Sequence, residues 1–405
     1  MSRRRRYALV GLGAIAYASL TFVWFSLPAW LDAIVADFGL TSTQAGVLTG
    51  AIPLTYVPVS LFSGVVTDYV GPYRAIGAGV TLFGGAQIGR AAAETFPALL
   101  ALTVVVGVGG TAITFGLPKL VSELFPPERS GTPSSMYVVG SLAGTAAAFS
   151  IGRAVLGGPL GGWRPLFRYT GVAVLAYALL WWVIVRQAPL DAIGHTAGAR
   201  GTDDHPTLSM AALTQDLGRV FSNRSMRLLV VVGGVYLLVT HGLQNWLATV
   251  LQSRGVGAAL AASLVSGFVV AQAVGTLVVP AASDRLGQRG SVLAGCAGLC
   301  SLGTATLLFA PVPLAIPIGG ALAVGFGVGG LSPLVRMVPA EIDGIGPELT
   351  GTAVGLVFAV GEVGGFLGPF LIGALYDLTG TYAAGLAVVC LGCLSAVIAG
   401  RRLPV

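Results

Sequence analysis

The fold is decided by two short polar stretches that share one pattern, Asp68-Tyr69-Val70-Gly71-Pro72-Tyr73-Arg74 and Asp284-Arg285-Leu286-Gly287-Gln288-Arg289. Each stretch follows one long apolar run and precedes another, so the two occupy matching places in two halves of the chain. A second repeated pattern lies further along each half, where Gly116-Leu117-Pro118-Lys119 resembles Gly330-Leu331-Ser332-Pro333. Their common order indicates an internal duplication.

The composition is that of a membrane protein. Of the 405 residues, 55% are hydrophobic and 9% are charged, and the mean hydropathy is +0.86. A soluble chain with so little charge would not stay in solution. About 20 apolar residues cross the roughly 30 Å hydrocarbon layer of a bilayer. Twelve runs of this kind lie near 8–31, 43–66, 73–93, 97–122, 132–156, 165–186, 228–251, 258–282, 290–309, 314–338, 350–375 and 381–400. We therefore expect an all-α membrane protein with twelve transmembrane helices in two pseudo-symmetric six-helix bundles.

The apolar pattern breaks between the sixth and seventh runs, where Asp203, Asp204, His205 and Pro206 occur together. This break predicts an N-terminal bundle over 1–186, a cytoplasmic linker over 187–226 and a C-terminal bundle over 227–405. Within the linker, the residues from Leu208 to Phe221 have the spacing of an interfacial amphipathic helix.

Basic residues predict the orientation, because they concentrate in cytoplasmic loops. With the amino terminus inside and the linker omitted, twelve basic residues fall on the cytoplasmic side and five on the external side. Both termini are therefore expected in the cytoplasm of a plasma-membrane protein, and the first run is expected to be a retained helix. The net charge of +6 is a topology signal rather than a sign of nucleic-acid binding. The cytoplasmic set is Arg3, Arg4, Arg5, Arg6, Arg74, Lys119, Arg129, Arg285, Arg289, Arg336, Arg401 and Arg402, and the external set is Arg90, Arg153, Arg164, Arg168 and Arg254.

The four cysteines, Cys296, Cys300, Cys390 and Cys393, all fall inside predicted helices. The last two have the spacing of a redox or metal motif. Since the adjacent sequence contains no histidine or carboxylate, packing is the expected role. No metal ion or cofactor is expected.

Six helices, a linker and six more helices with repeated polar loops resemble the major facilitator superfamily of secondary transporters, and the resemblance covers the whole chain. Its most specific element is the family's loop Gly-x-x-x-Asp-Arg/Lys-x-Gly-x-Arg/Lys. The first copy matches this loop at Gly64, Asp68 and Gly71, has Tyr69 in place of a basic residue, and carries Arg74 one position late.

The second copy keeps the basic residues and has Pro280 in place of the first glycine. A carboxylate at a helix end can bind the positive amino terminus of another helix, and glycine permits the tight turn. The resemblance implies that such a contact closes the cytoplasmic side when the protein faces outward, with a solvated turn as the alternative. The predicted gate residues are Gly64, Asp68, Gly71, Arg74, Asp284, Arg285, Gly287 and Arg289.

Glu362 is the carboxylate that lies deep in a predicted span. It comes about twelve residues after the start of its apolar run, or roughly 18 Å at about 1.5 Å per residue. A charge at that depth costs at least about 2.5 to 3.5 kcal/mol. Two roles stay open: a proton-coupling or substrate-contacting acid, and a protonated acid that bonds a neighbouring helix in a glycine-packed contact.

His241 lies about as deep in the seventh run, followed by Gln244 and Asn245 on the same helical face. Clustered polar residues in a membrane helix normally face the bundle interior or a water-filled cavity. A histidine there can titrate or bond substrate, and a structural bond between helices is the alternative.

Other spans offer polar or aromatic stripes, and the resemblance implies that helices one, four, seven and ten line the central path. Packing is the alternative role for each residue of these stripes. The predicted substrate-binding and coupling residues are Glu362, His241, Asn245, Gln244, Tyr17, Thr21, Trp24, Thr114, Phe115 and Gln272.

Basic residues are missing from the middle of the spans. Thr103 stands near the place where family members often carry an arginine in the fourth helix, and nitrate porters depend on arginines in the second and eighth helices that this sequence lacks. These absences weaken an inorganic-oxyanion assignment. Lys119, Arg153 and Arg336 are near enough to helix ends to reach a cavity or to snorkel to the interface. The segment Gly364-Gly365-Phe366-Leu367-Gly368-Pro369 resembles the branch that carries cyanate, nitroimidazole and small organic anions.

The sequence thus predicts a secondary active transporter, and not an enzyme, that moves a small solute such as a small organic anion by alternating access. The expected coupling ion is the proton, because Glu362 and His241 are titratable groups at the right depth. The alternatives are a proton-coupled efflux antiporter for drugs or metabolites and a non-transporting membrane sensor. The expected partners are the small-molecule substrate, the coupling ion and the lipid bilayer, and the expected functional unit is a monomer.

Overall fold

The computed structural model describes residues 2–126, 129–187, 210–308 and 313–404, and these residues form helices joined by short turns. In the first half, the helices are α1 (Arg3–Ala29), α2 (Leu31–Phe38), α3 (Ser42–Val70), α4 (Pro72–Ala92), α5 (Phe96–Leu124), α6 (Gly131–Ala147), α7 (Gly157–Leu160) and α8 (Trp163–Gln187). Helix α6 continues as a π-helix over Ala148–Val155.

In the second half, the helices are α9 (Met210–Ser222), α10 (Arg224–Gln252), α11 (Ala258–Leu286), α12 (Arg289–Thr306), α13 (Ala315–Met337), α14 (Gly346–Thr379) and α15 (Ala383–Arg401). A short 3₁₀ helix over Val338–Glu341 follows α13. Helix α9 lies where the sequence has the pattern of an amphipathic helix.

Length and apolar composition account for most of these elements. Among the described helices, nine are long and apolar enough to cross a membrane. Helices α3, α4 and α12 are the remaining long ones in the described chain, so each predicted span has its helix. The predicted fold class, an all-α membrane protein with twelve long helices, is confirmed.

Two glycines make the turns of the repeated loops. Gly71 precedes α4 with a φ of 84°, and Gly287 ends α11 with a φ of 61°. Only glycine adopts such angles without steric cost. The turns expected from the two polar stretches are therefore present.

The chain forms two compact units. Unit 1 comprises Met1–Ala33 and Pro58–Thr207, and unit 2 comprises Ile34–Val57 and Leu208–Val405. Helix α3 therefore begins in unit 2 and ends in unit 1.

Glycine contacts hold the helices of each unit together at short range. In unit 1, a Cβ atom on Gly140 or Gly144 of α6 would collide with the backbone of α1 at Ala14 or Ala18. Such small residues let helix backbones approach closely, and the resulting van der Waals packing helps helices associate in lipid.

Candidate functional site

Glu362 lies in the 34-residue helix α14, well away from both of its ends. Its Oε2 atom is buried and has no hydrogen-bond partner among the described residues. A buried carboxylate oxygen without a partner is costly when it is ionised and much less so when it is protonated. The arrangement suits a group that takes up and releases a proton.

The surroundings of Gly365 bring Glu362 and His241 together. A Cβ atom on Gly365 would lie 2.9 Å from Cδ2 of His241, 3.1 Å from Cβ of Pro53 and 3.2 Å from Oε2 of Glu362. All three neighbours therefore surround one point in unit 2, with His241 supplied by α10 and Pro53 by α3. A side chain at position 365 would fill the space between the acid and the imidazole.

A glycine stripe on α14 makes this approach possible. A Cβ atom on Gly364 would collide with the carbonyl oxygen of Gly234, and one on Gly368 would collide with that of Leu238. Helix α14 therefore rests directly on the backbone of α10. The sequence predicts either a glycine-packed contact or a titratable site at Glu362. The structure combines the two features, because the glycine packing brings His241 close to Glu362.

The other polar residues of α10 are buried as well. Nε2 of Gln244 donates to Oε1 of Gln272 on α11 at 2.9 Å, which brings these two predicted residues together. Asn245 is 1% exposed, and neither its Nδ2 nor its Oδ1 has a hydrogen-bond partner among the described residues. An amide with an open donor and an open acceptor can bind a polar ligand or water.

Arg336 brings a positive charge to the acid. Its Cζ atom lies 4.4 Å from the centre of the Phe358 ring, and Phe358 comes one helical turn before Glu362 on α14. Arg336 also interacts electrostatically with Glu362. Its Nη1 donates to the backbone oxygen and to Oγ of Ser332, both at 2.7 Å. The sequence predicts that Arg336 either reaches a cavity or snorkels to the interface. The packing of α13 near α14 reveals its partner.

The predicted residues of unit 1 form contacts of their own. Oγ1 of Thr21 lies 2.8 Å from the carbonyl oxygen of Ser141, so this hydroxyl joins α1 to α6. The rings of Tyr17 and Tyr137 stack with their centres 6.3 Å apart. These two contacts fit the packing alternative as well as a binding role.

The remaining predicted residues of unit 1 differ in exposure. Trp24 is buried and stacks on Phe25 with the ring centres 5.5 Å apart. Thr114 is half-buried, and Phe115 is 36% exposed. Phe115 is thus the most exposed of these three side chains.

The predicted gate residues divide between the two copies. In the second copy, Nη1 of Arg289 lies 2.6 Å from Oδ1 of Asp284, and its Nη2 lies 3.1 Å from Oε1 of Glu341. Arg285 is exposed. Asp284 thus pairs with the arginine of its own loop, and that arginine also binds the 3₁₀ helix.

In the first copy, Arg74 is exposed in the first turn of α4, which begins at Pro72 directly after Gly71. Gly64 and Asp68 both belong to α3, but the surroundings of Gly64 and the side chain of Asp68 lie outside the described part of the structure.

Sequence reasoning missed the surroundings of Arg90. This side chain is 0% exposed, and its Nε and Nη2 both donate to Oγ1 of Thr103 at 3.1 Å. The sequence places Arg90 among the external basic residues and Thr103 where relatives often carry an arginine. In the structure, a cation from α4 reaches that threonine on α5. Arg90 lies two residues from the end of α4, where an arginine is equally compatible with an exposed position, so the sequence gives no sign that the side chain is buried.

Comparisons with known proteins fit this architecture. The sequence matches the family model described as Major Facilitator Superfamily over residues 9–341 and 245–405. The 3-(3-hydroxy-phenyl)propionate transporter of Escherichia coli (strain K12) is 29% identical over 356 residues, covering 86% of this chain and 82% of that protein. A probable nitrate/nitrite transporter of Mycobacterium tuberculosis is 28% identical over 370 residues, covering 87% and 85%.

A solved structure has the same fold. It is the crystal structure of a bacterial homologue of the human lysosomal transporter Spinster, in an inward-facing and unoccupied conformation. The TM-score is 0.77 at 19% identity, with 100% of this chain and 95% of that chain covered. The sequence resemblance to this superfamily and to its transporters of small anions is confirmed.

Proposed function

We propose a function on the premise that this chain belongs to the Major Facilitator Superfamily. It is a multi-pass membrane protein and a secondary transporter, not an enzyme. The proposal is that it moves a small organic anion across the plasma membrane by alternating access, with protons as the coupling ion and a single chain as the functional unit. Both termini would lie in the cytoplasm, as the distribution of basic residues predicts.

The observation that carries this proposal is the buried Oε2 of Glu362, which lies near His241 and has no hydrogen-bond partner in the described part of the chain. An acid inside a membrane helix is a functional candidate by default, because keeping it charged or unpaired there is costly. A carboxyl group that cycles between protonated and ionised forms can couple proton movement to a conformational change. His241 is close enough to support it, either as a second proton acceptor or as a bond to substrate.

Two relatives support the anion as substrate class. One relative is named as a transporter of 3-(3-hydroxy-phenyl)propionate and another as a probable transporter of nitrate and nitrite. Both solutes are anions at neutral pH, and they differ widely in shape. We therefore propose an anion as the substrate of this chain. The shape of that anion is to be determined by the transport experiment below.

Proteoliposomes test the coupling. The wild-type protein is reconstituted and supplied with labelled small anions under an inward proton gradient, and both solute uptake and proton uptake are followed. Glu362→Gln keeps the size and much of the hydrogen bonding of the side chain but cannot ionise. We expect this variant to lose uphill accumulation and to keep exchange of labelled for unlabelled solute.

Glu94→Gln is the matched control, because Glu94 is an exposed acid outside the helices. It should accumulate solute as the wild type does. Proton uptake at the wild-type ratio in Glu362→Gln would contradict the proposal and leave Glu362 as a packing residue. If the inward proton gradient instead drives solute out of the proteoliposomes, the protein is an antiporter and not a symporter.

His241→Gln separates the two roles of the imidazole. If His241 bonds substrate, the variant should raise the concentration of solute needed for half-maximal exchange and leave the proton ratio unchanged. A changed proton ratio would instead assign His241 to the proton path.

A further inference from the structure

Arg336 has hydrogen-bonding capacity that the described part of the chain does not take up. The side chain is exposed, and Nη1 is the atom that donates to Ser332, on its own helix. Among the described residues, no ion pair and no further hydrogen bond to its Nε or Nη2 is recorded. A guanidinium presents five N–H donors in a flat fork that matches the two oxygens of a carboxylate.

The position of this fork is fixed by Phe358. The Cζ atom of Arg336 lies over the ring, 4.4 Å from its centre. A cation over an aromatic face is held by the negative charge of the ring face. Because the fork lies over the ring, its outer edge is left for a ligand, and the half-buried ring offers an apolar surface beside it. The combination suits a small molecule with a carboxylate and an apolar body.

Glu362 competes for the same cation. It lies one turn beyond Phe358 on α14 and interacts electrostatically with Arg336. When Glu362 is ionised, it attracts the guanidinium. When Glu362 is protonated, this attraction ends, and the exposed guanidinium can bind the carboxylate of an anion from solution instead.

The other charged groups on the elements packed against α14 lie at element ends. Arg224 and Arg227 are in the first turn of α10, and Glu341 of the 3₁₀ helix is paired with Arg289. His241 on α10 and Pro53 on α3 lie around the Oε2 of Glu362. Helix α15, which also packs on α14, has no ionisable side chains from Ala383 to Gly400 apart from Cys390 and Cys393. On α9, Arg219 lies 3.6 Å from Asp216, so these two charges offset each other.

We infer that Arg336 binds the carboxylate of the transported anion, and that protonation of Glu362 releases Arg336 for this role. One proton and one monocarboxylate then enter together, and no net charge is added to the site. This inference rests on the proposed function and deepens it, because it names the substrate class and the residue that recognises it.

Binding to the purified full-length protein in detergent tests the inference, with benzoate and hexanoate as probes and benzamide as the neutral control. Wild-type affinity for benzoate should fall as the pH rises and Glu362 ionises. Arg336→Gln should weaken benzoate binding by about tenfold or more, as expected for a lost charge-assisted hydrogen-bonded pair. Arg336→Lys keeps the charge without the fork and should recover part of the affinity.

Glu362→Gln should bind benzoate with an affinity that no longer changes with pH, since the competing anion is gone. Arg401→Gln, at the exposed end of α15, is the matched arginine control and should bind as the wild type does. A thermal unfolding curve for each variant shows that it is folded.

The outcomes separate this inference from the proposed function. If Arg336→Gln binds benzoate within twofold of the wild type, or if the wild type moves another solute with protons but binds neither carboxylate, the role of Arg336 is wrong and proton coupling stands. If Glu362→Gln still takes up protons with solute at the wild-type ratio, the proposed function itself fails.

Discussion

The carboxylate of Asp377 accepts hydrogen bonds from both the backbone N–H and the hydroxyl of Thr43, at 2.7 and 2.6 Å. Its second oxygen accepts from the backbone N–H of Ser42 at 3.0 Å. The N–H of Gln44 is satisfied locally by the hydroxyl of Thr41 at 3.2 Å. Because the first N–H groups of a helix have no acceptor within it, Asp377 on α14 completes the cap of α3 from a distant part of the sequence.

The end of α14 that carries Asp377 is well supported. The rings of Tyr376 and Tyr382 stack with their centres 4.3 Å apart, and the ring of Trp246 lies 5.6 Å from that of Tyr382. Burial raises the pKa of Tyr382 to about 12, so the phenol stays neutral at physiological pH. The acceptor for α3 is therefore held by aromatic packing within unit 2.

Asp377→Ala should destabilise the start of α3. It removes the acceptor for two backbone N–H groups and a negative charge that suits a helix amino terminus. We expect a loss of about 1 kcal/mol, typical of an N-cap residue, seen as a lower Tm in detergent. Ser42→Cys should also react faster with a maleimide in the Asp377→Ala background.

Glu94→Ala, which removes an exposed acid without a described hydrogen bond, is the control for this change. Equal unfolding temperatures and equal labelling rates in the two variants would show that the cap contributes nothing.

The Arg289 side chain joins two carboxylates, at 2.6 Å to Asp284 and 3.1 Å to Glu341. Arg289→Gln leaves the two like charges facing each other, so stability should fall, and added salt should reduce the difference because it screens that repulsion. Asp284 and Glu341 are 58% and 39% exposed, and exposed pairs contribute up to about 1 kcal/mol each. Thermal unfolding at low and high salt measures the effect.

Arg285→Gln is the comparison, since Arg285 belongs to the same loop but has no recorded ion pair among the described residues. If both variants lose the same stability with the same salt dependence, the Arg289 bridge is not a special contact.

The fold was predictable from the sequence because its determinants are local. Apolar runs set the helices by length alone, and the glycines at 71 and 287 mark turns that require positive φ. The site was predictable only in part. Depth singled out Glu362 and His241 as candidates, and the helical period placed Gln244 and Asn245 on the same face as His241. Their proximity across α10 and α14 needed the glycine packing of the folded unit.

The contacts of Arg90, Arg336 and Asp377 could not be predicted from the sequence, for a common reason. Each lies near a helix end, where a long or charged side chain can reach solvent, lipid or another helix. Sequence position does not decide among these directions. Tertiary contacts determine the direction of each side chain. Arg90 donates to Thr103, Arg336 lies over the ring of Phe358, and Asp377 accepts from Thr43.

Gly364 should tolerate no side chain. A Cβ atom there collides with the carbonyl oxygen of Gly234, which would push α14 away from α10 and separate Glu362 from His241. Gly364→Ala should cost about 1 to 3 kcal/mol, as overpacking does, and should lower both the Tm and proton-coupled uptake. Gly355→Ala, on the same helix but facing open space, should be neutral or slightly stabilising because alanine favours helices. The reverse order of stabilities would contradict the packing argument.

The buried cation of unit 1 offers the sharpest stability test. Besides its bonds to Thr103, Arg90 donates from Nη1 to the carbonyl oxygen of Val23 at 3.2 Å and to Oε1 of Gln87 at 3.2 Å. Gln87 in turn donates from Nε2 to Oγ of Ser26 at 3.1 Å. No ion pair of Arg90 is recorded among the described residues, so neutral oxygens on α1, α4 and α5 stabilise the charge.

The stabilities of Arg90→Lys and Arg90→Met should therefore not follow the chemical similarity of the new residue to arginine. Lysine keeps the buried charge, but its single nitrogen cannot reach all three acceptors. Methionine removes the charge together with its desolvation cost and leaves only neutral acceptors unpaired. We expect Arg90→Lys to lose about 3 kcal/mol or more, in the range seen when a buried charge loses its partners, and Arg90→Met to lose less. Thermal unfolding in one detergent gives the order directly. A lysine variant as stable as the wild type would mean that charge alone, and not the hydrogen-bonded fork, holds these helices together.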